Sequence, residues 1–147
     1  MILGIVGSEG AKFTAETEIK ARELIRKILA PLGLMDIVCS GKCPLGGIDI
    51  WAIEEAKKMG FETLEFPPKV NSWAEGYKPR NIQIAKASDM VVCISVLQYP
   101  ESYKGMKFSR CYHHNDESNV EMHIKSGGCW TTKYTRSLKK PTQLIVV

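Results

Sequence analysis

Ser126-Gly127-Gly128-Cys129-Trp130-Thr131-Thr132 and, earlier, Ser40-Gly41-Lys42-Cys43-Pro44-Leu45-Gly46-Gly47-Ile48-Asp49 are glycine-rich turns placed where apolar strand-like sequence gives way to helix-like sequence. Such boundaries are where α/β proteins bind phosphate. Glycine lets the backbone approach an anion closely, and the free N–H groups of a helix N-terminus supply donors and a favourable dipole without any charged side chain. The two turns therefore mark the chain as α/β and as a nucleotide binder.

Outward from them, strand and helix signals alternate. Ile2 to Val6 is a short apolar run suited to a strand buried on both faces, ending at Gly7-Ser8. From Glu16 on, Ala21, Leu24, Ile25, Ile28 and Leu29 form one helical face, closed by Pro31 and Gly33. Met35 to Cys39 is the expected second strand. Ile48, Trp51, Ala52, Ala56 and Met59 make the next helical stripe, stopped by Gly60, and Glu62 to Phe66 a third strand before Pro67-Pro68. Residues 69 to 79 read as a loop, Arg80 to Ala87 as a helix, and Met90 to Val96 as a strand rich in β-branched residues. Trp130, Tyr134 and Leu138 mark a last helix, and Thr142 to Val146 a last strand. This order predicts a doubly wound, mostly parallel five-stranded sheet with helices on both faces. Ligands bind such sheets at the carboxyl ends of the strands, near the point where strand order reverses. Residues 98 to 125 are polar and rich in Tyr, His and Asn, and read as an insertion after the fourth strand.

The chain has 147 residues, which fits one domain. It opens without a basic leader and contains no apolar stretch of the roughly 20 residues a membrane span requires. A soluble cytoplasmic protein with no membrane partner is expected. The formal charge is +4, and residues 104 to 140 carry eight Lys/Arg against three acids, a potential suited to an anionic ligand and equally to a solvated face. Five cysteines, at 39, 43, 93, 111 and 129, argue against a disulfide framework and for thiols or metal ligands.

The ordered set of Gly7-Ser8, Ser40-Gly41 with Gly46-Gly47-Ile48-Asp49, Phe66-Pro67 with Trp73, Arg80-Asn81, Ser88-Asp89 and Gly127-Gly128 with Thr131 resembles the SLOG superfamily of Rossmann-like nucleotide-binding proteins. That group includes the cytokinin-activating phosphoribohydrolases, once labelled lysine decarboxylases, and the DNA-processing protein DprA. The likeness is strongest to small bacterial and phage YspA-like members. It covers nearly all of the chain apart from the insertion. The resemblance implies a nucleotide or nucleotide-sugar across the strand ends: Gly127, Gly128 and Thr131 at the phosphate, Gly7 and Ser8 beside it, and Gly41 and Asp49 framing the cleft, with Gly47, Arg80 and Asn81 also in the nucleotide-binding set. It also implies a homodimer formed through helices beside the sheet.

The residues themselves agree with that assignment. Thr131 offers a hydroxyl, and Arg80 a planar fork for phosphate. Two roles are open to Asp49: binding a ribose hydroxyl, or serving the dipole of its helix. The phosphoribohydrolase pattern continues from Gly-Gly-x-Gly-Thr into catalytic glutamates, whereas this chain reads Gly128-Cys129-Trp130-Thr131-Thr132-Lys133-Tyr134. Hydrolysis through an oxocarbenium-like state needs a carboxylate. Arg80 and Glu9 are the candidate catalytic residues, Glu9 being open also to a surface role. A DprA-like nucleic-acid binder is the alternative function, and an active nucleoside monophosphate phosphoribohydrolase a third.

Cys111, His114, His123 and Cys129 give a C-x2-H, x8, H-x5-C spacing, four borderline-soft ligands of the kind that close a tetrahedral zinc site. A polar insertion with few apolar residues benefits from such a clip. One structural zinc ion is the expected cofactor, against the plainer reading of a solvent-facing polar hairpin; no redox cofactor is expected. Trp51 and Cys39 are read as core, Trp73 as a loop indole that either packs over the sheet edge, the plainer reading, or stacks on a base, and Tyr77, Tyr99 and Tyr103 as loop aromatics around the cleft.

Overall fold

The computed structural model describes every residue except 109 and 119. Its centre is a five-stranded, wholly parallel sheet in the order β3-β2-β1-β4-β5, with β1 Ile2–Gly7, β2 Ile37–Gly41, β3 Glu62–Phe66, β4 Met90–Ser95 and β5 Thr142–Val146. The helices are α1 Ala15–Leu29, α2 Ile48–Lys58, α3 Lys78–Ala87 and α4 Gly127–Ser137. The architecture is the expected Rossmann-like one. α1 and α2 pack together on one face, α3 and α4 on the other.

The strands carry this arrangement in their alternation, since successive side chains point to opposite faces. Leu3, Ile5, Val92 and Ile94 enter one buried cluster with Ile25, Leu29, Trp51, Ala52 and Ala56 from α1 and α2. Val6, Val91 and Cys93 enter a second with Ile84 from α3 and Cys129 from α4. Trp51 is core, as expected, with Phe13 edge-on to it at 4.8 Å. Cys39 is core too, and burial pushes its thiol up to about 11.

α1 starts on a capping box in which Thr14 and Thr17 satisfy each other's exposed N–H groups. It is tied to α2 through Glu55, only 3 % exposed, which accepts from Arg22 at 3.0 Å, from Arg26 at 3.3 Å and from Lys58 at 3.3 Å. Among the described residues no helix is long and apolar enough to cross a membrane.

Several boundaries differ from the sequence reading. β2 begins at Ile37 because Met35 is 93 % exposed, and Asp36 turns back to bind the Met1 ammonium at 2.8 Å and the Gly33 N–H at 2.9 Å. Within the expected loop of residues 69 to 79, Trp73–Tyr77 forms a π-helical turn that runs directly into α3, with Pro79 at its tolerated first-turn position. α4 begins at Gly127 itself, three residues before the first aromatic that marked it.

β1 lies between β2 and β4; the crossover that follows β1 runs over the α1–α2 face and the one that follows β4 over the α3–α4 face. The crevice at the carboxyl ends of β1 and β4 is the place such sheets offer to ligands. The insertion spans 96–126, from the end of β4 to the start of α4, and folds over this crevice. Among its described residues Arg110 and Ile124 form an antiparallel bridge, and the segment is pinned where Ile124 N–H donates to the Val96 carbonyl at 2.9 Å.

Candidate functional site

α4 docks its first turn onto the end of β1. A β-carbon on Gly128 would lie 2.7 Å from the Gly7 nitrogen and 3.0 Å from Cys93 Sγ, so only glycine permits the approach. Gly7 is equally constrained: a β-carbon there would overlap the Ile94 carbonyl oxygen. Ser126 caps the helix, its hydroxyl accepting from the Cys129 N–H at 3.3 Å. The N–H groups of Gly127 and Gly128 precede the first intrahelical bond and carry the positive end of the helix dipole.

Above this turn opens a cavity of about 820 Å³. Gly7, Glu9, Asp49, Arg80, Asn81, Gly127, Gly128 and Thr131 all line it, so most of the expected site residues converge. Ser8, Gly41 and Gly47 lie behind the wall. Ser8 is 1 % exposed, its backbone bonding Ile94 and Ile48 while its hydroxyl has no partner among the described residues. Gly47, at φ 88°, is the N-cap of α2, where a β-carbon would strike the Ser8 carbonyl and the Glu9 backbone.

Gly41, Asp49 and Arg80 form one unit. Arg80 Nη1 lies 3.2 Å from Asp49 Oδ2 with both side chains buried, and its Nε donates to Asn81 Oδ1 at 2.8 Å. The Asp49 contact is an ion pair that leaves Nη1 without an aligned hydrogen bond. A β-carbon on Gly41 would overlap both the guanidinium and the carboxylate. The glycine is there to admit the ion pair, not a phosphate. Asp49 sits in the first turn of α2 without capping it, and burial pushes its carboxyl up against the downward pull of Arg80.

Thr131 also departs from expectation. It is fully buried, and its hydroxyl donates to the Gly127 carbonyl at 2.9 Å, so its one proton is committed within the helix. Glu9 holds to the cavity lip, with the Tyr103 hydroxyl donating to it at 3.4 Å. Tyr99 and Tyr103 stack on each other at 4.6 Å and stay outside the lining, whereas Tyr77 enters it under the Arg80 guanidinium. Trp73 borders the cavity, half-exposed and edge-on to Trp130 at 5.3 Å.

Lys12, Phe108, Tyr112, His113 and Lys125 also line the cavity, and none was singled out from sequence. Lys12 follows β1 by five residues, where loop contacts to a ligand are expected, yet a single lysine there has no periodic signal. The others come from the insertion, whose path no local pattern specifies.

Beside the cavity, the ligand atoms of Cys111, His114, His123 and Cys129 all lie within 4.8 Å of one another. The histidines are oriented from behind. His114 Nδ1 pairs with Glu117 Oε2 at 2.6 Å and His123 Nδ1 with the Glu121 carbonyl at 2.7 Å. Both Nε2 atoms are buried and without a partner among the described residues. Carboxylate or carbonyl behind one nitrogen and a free lone pair on the other is the arrangement of metal-ligating imidazoles. A tetrahedral ion with bonds of about 2.0–2.3 Å holds its ligand atoms some 3.3–3.8 Å apart, so shifts of roughly 0.5 Å per atom would close the set. Arg136 of α4 ties the loop down, binding both Asp116 oxygens at 2.9 and 2.6 Å and the His113 carbonyl at 2.7 Å.

Fold and site together define an α/β protein with a cavity at its topological switch point and a Cys/His cluster beside it. The chain matches no family model, no curated protein and no solved structure.

Proposed function

We propose that the protein binds a nucleotide or nucleotide-sugar, its phosphate received by the first turn of α4. The observation that carries this reading is the Gly7–Gly128 contact: it brings the free N–H groups of a helix start to the end of the central strand, at the floor of the cavity. Trp73 and Tyr77 offer π surfaces at the wall for a base. A thermal-shift panel of nucleoside monophosphates, ribose 5-phosphate and ADP-ribose tests it, because a ligand specific for the native state raises stability by about 2.7 kcal/mol at a hundred times its Kd. No shift with any of them would overturn the reading. DprA-like binding of single strands is separated by salt, since a strand's affinity falls steeply as counterions compete and a backbone-held mononucleotide's falls less.

One structural zinc ion held by Cys111, His114, His123 and Cys129 belongs to the same reading. Two thiolates and two neutral imidazoles match its preferences, and four protein ligands leave no open position for catalysis. Its chemistry there is to cross-link the insertion to α4. Metal content of the purified protein, at one equivalent per chain and lost in Cys111→Ser, is the expected result.

N-glycosidic hydrolysis is a second reading, supported by Glu9. Of the two carboxylates on the cavity wall, Asp49 is held by Arg80 and Glu9 has no ion pair among the described residues. Release of free base from a nucleoside monophosphate, abolished by Glu9→Gln, would support it; release unaffected by that change would exclude Glu9.

A further inference from the structure

Lys12 is 6 % exposed, lines the cavity, and among the described residues has no carboxylate partner. Among the described residues its ammonium reaches the Lys125 carbonyl, at 3.5 Å, and the Phe108 ring, 5.4 Å from its centroid. Lys125 lies over the same ring at 4.9 Å and over Tyr112 at 4.9 Å. Two lysines thus converge on one phenyl ring without an acid between them. Burial of an ammonium without a direct ion pair is costly, and it holds the Lys12 amine below its ordinary value against the upward pull of Glu9 across the cavity. Lys125 stands two residues before Gly127, so the pair adjoins the helix start that receives the phosphate in the reading above.

We infer that Lys12 and Lys125 form a second anion-binding point beside the α4 N-terminus, selecting nucleotides that carry two linked phosphoryl groups over monophosphates. The inference rests on the nucleotide reading and deepens it. One phosphoryl group takes the Gly127 and Gly128 N–H groups; the next supplies the direct ion pair that Lys12 lacks among the described residues. Charge-assisted contacts of this kind are the strong ones, and a lysine acts on phosphate as a point charge. Because Lys125, Phe108 and Tyr112 belong to the insertion, it is the insertion that reads the second group.

The test is calorimetric titration of the full chain with the 5′-mono- and 5′-diphosphates of adenosine, guanosine, cytidine and uridine, for wild type and Lys12→Met. For at least one nucleoside the diphosphate is expected to bind about tenfold or more tighter than the monophosphate. Lys12→Met is expected to remove most of that preference while leaving the ligand-free melting temperature unchanged or higher. A merely structural lysine would give the opposite sign, a lower melting temperature with the preference intact, and that would overturn the inference. Lys125→Met, at a more exposed position, gives an independent variant whose preference is also expected to fall. Equal binding of mono- and diphosphates by wild type would overturn this inference alone, whereas failure of all eight to bind, and of ribose 5-phosphate and ADP-ribose titrated beside them, would overturn the nucleotide reading with it.

Discussion

Gly128 rests on Gly7 so closely that a β-carbon at residue 128 would stand 2.8 Å from the Gly7 Cα. Two residues 121 positions apart therefore fix where α4 begins relative to the central strand. Gly128→Ala must push the helix off that strand, and overpacking of this kind costs about 1–3 kcal/mol. Urea denaturation is expected to show that loss together with weakened nucleotide binding. Thr131→Val, in which only an intrahelical hydroxyl bond is removed, is expected to cost about 1 kcal/mol and to leave binding unchanged.

The Arg80–Asp49 pair is a structural element of the cavity wall. Removing one member leaves a buried charge without its partner, at a cost of about 3–5 kcal/mol. Asp49→Asn and Arg80→Ala are each expected to lower the denaturation midpoint by an amount of that order, and Gly41→Ala to do the same by displacing both side chains. A double variant, Asp49→Asn with Arg80→Ala, is expected to cost less than the two single changes added together, the test being a double-mutant cycle.

Chelation should loosen more than the insertion. Cys129 is both a candidate ligand and the third residue of α4, so withdrawing the metal is expected to raise proteolytic sensitivity across 96–126 and weaken nucleotide affinity together. Unchanged affinity after complete metal removal would disprove the coupling. Glu117→Gln, which alters the group behind His114 and removes the charge 3.5 Å from Arg136 Nη1, is expected to lower metal affinity by about 10–100-fold, read by competition with a chromogenic chelator.

Glu55 sets an acid limit on stability. Burial raises its carboxyl, but the hydrogen bonds from Arg22, Lys58 and Arg26 outweigh that and hold it below the ordinary 4.5. The folded state then binds the proton less readily than the unfolded chain. Stability from this group is present above pH 4.5 and drains away as pH falls below it. Denaturation midpoints for wild type and Glu55→Gln should differ at pH 7 and converge towards pH 3; a constant difference would refute the linkage.

Much of the fold was legible because the signals are local. The β3 and β5 limits, the stripe of α1 and the placement of Trp51 and Cys39 follow from period and burial alone, and the Cys/His spacing announced the cluster that closes in space. What misled was residue chemistry without its neighbours. Gly41 looked like a phosphate turn until Arg80 and Asp49 filled the space beside it. Thr131 looked free until its hydroxyl met the Gly127 carbonyl. Lys12 gave no signal at all.

By itself the sequence determined the succession of strands and helices, since apolar periods and glycine or proline stops act within a few residues. It also determined that all three histidines would lie in the insertion. Only the tertiary structure decided that Lys12 would meet Lys125, 113 positions away, that Asp49 would face Arg80, and that Gly7 would accept α4. The strand order β3-β2-β1-β4-β5 made those meetings, because placing β4 beside β1 folds the second half of the chain back over the end of the first. Burial and pairing then turned ordinary side chains into the wall of a site.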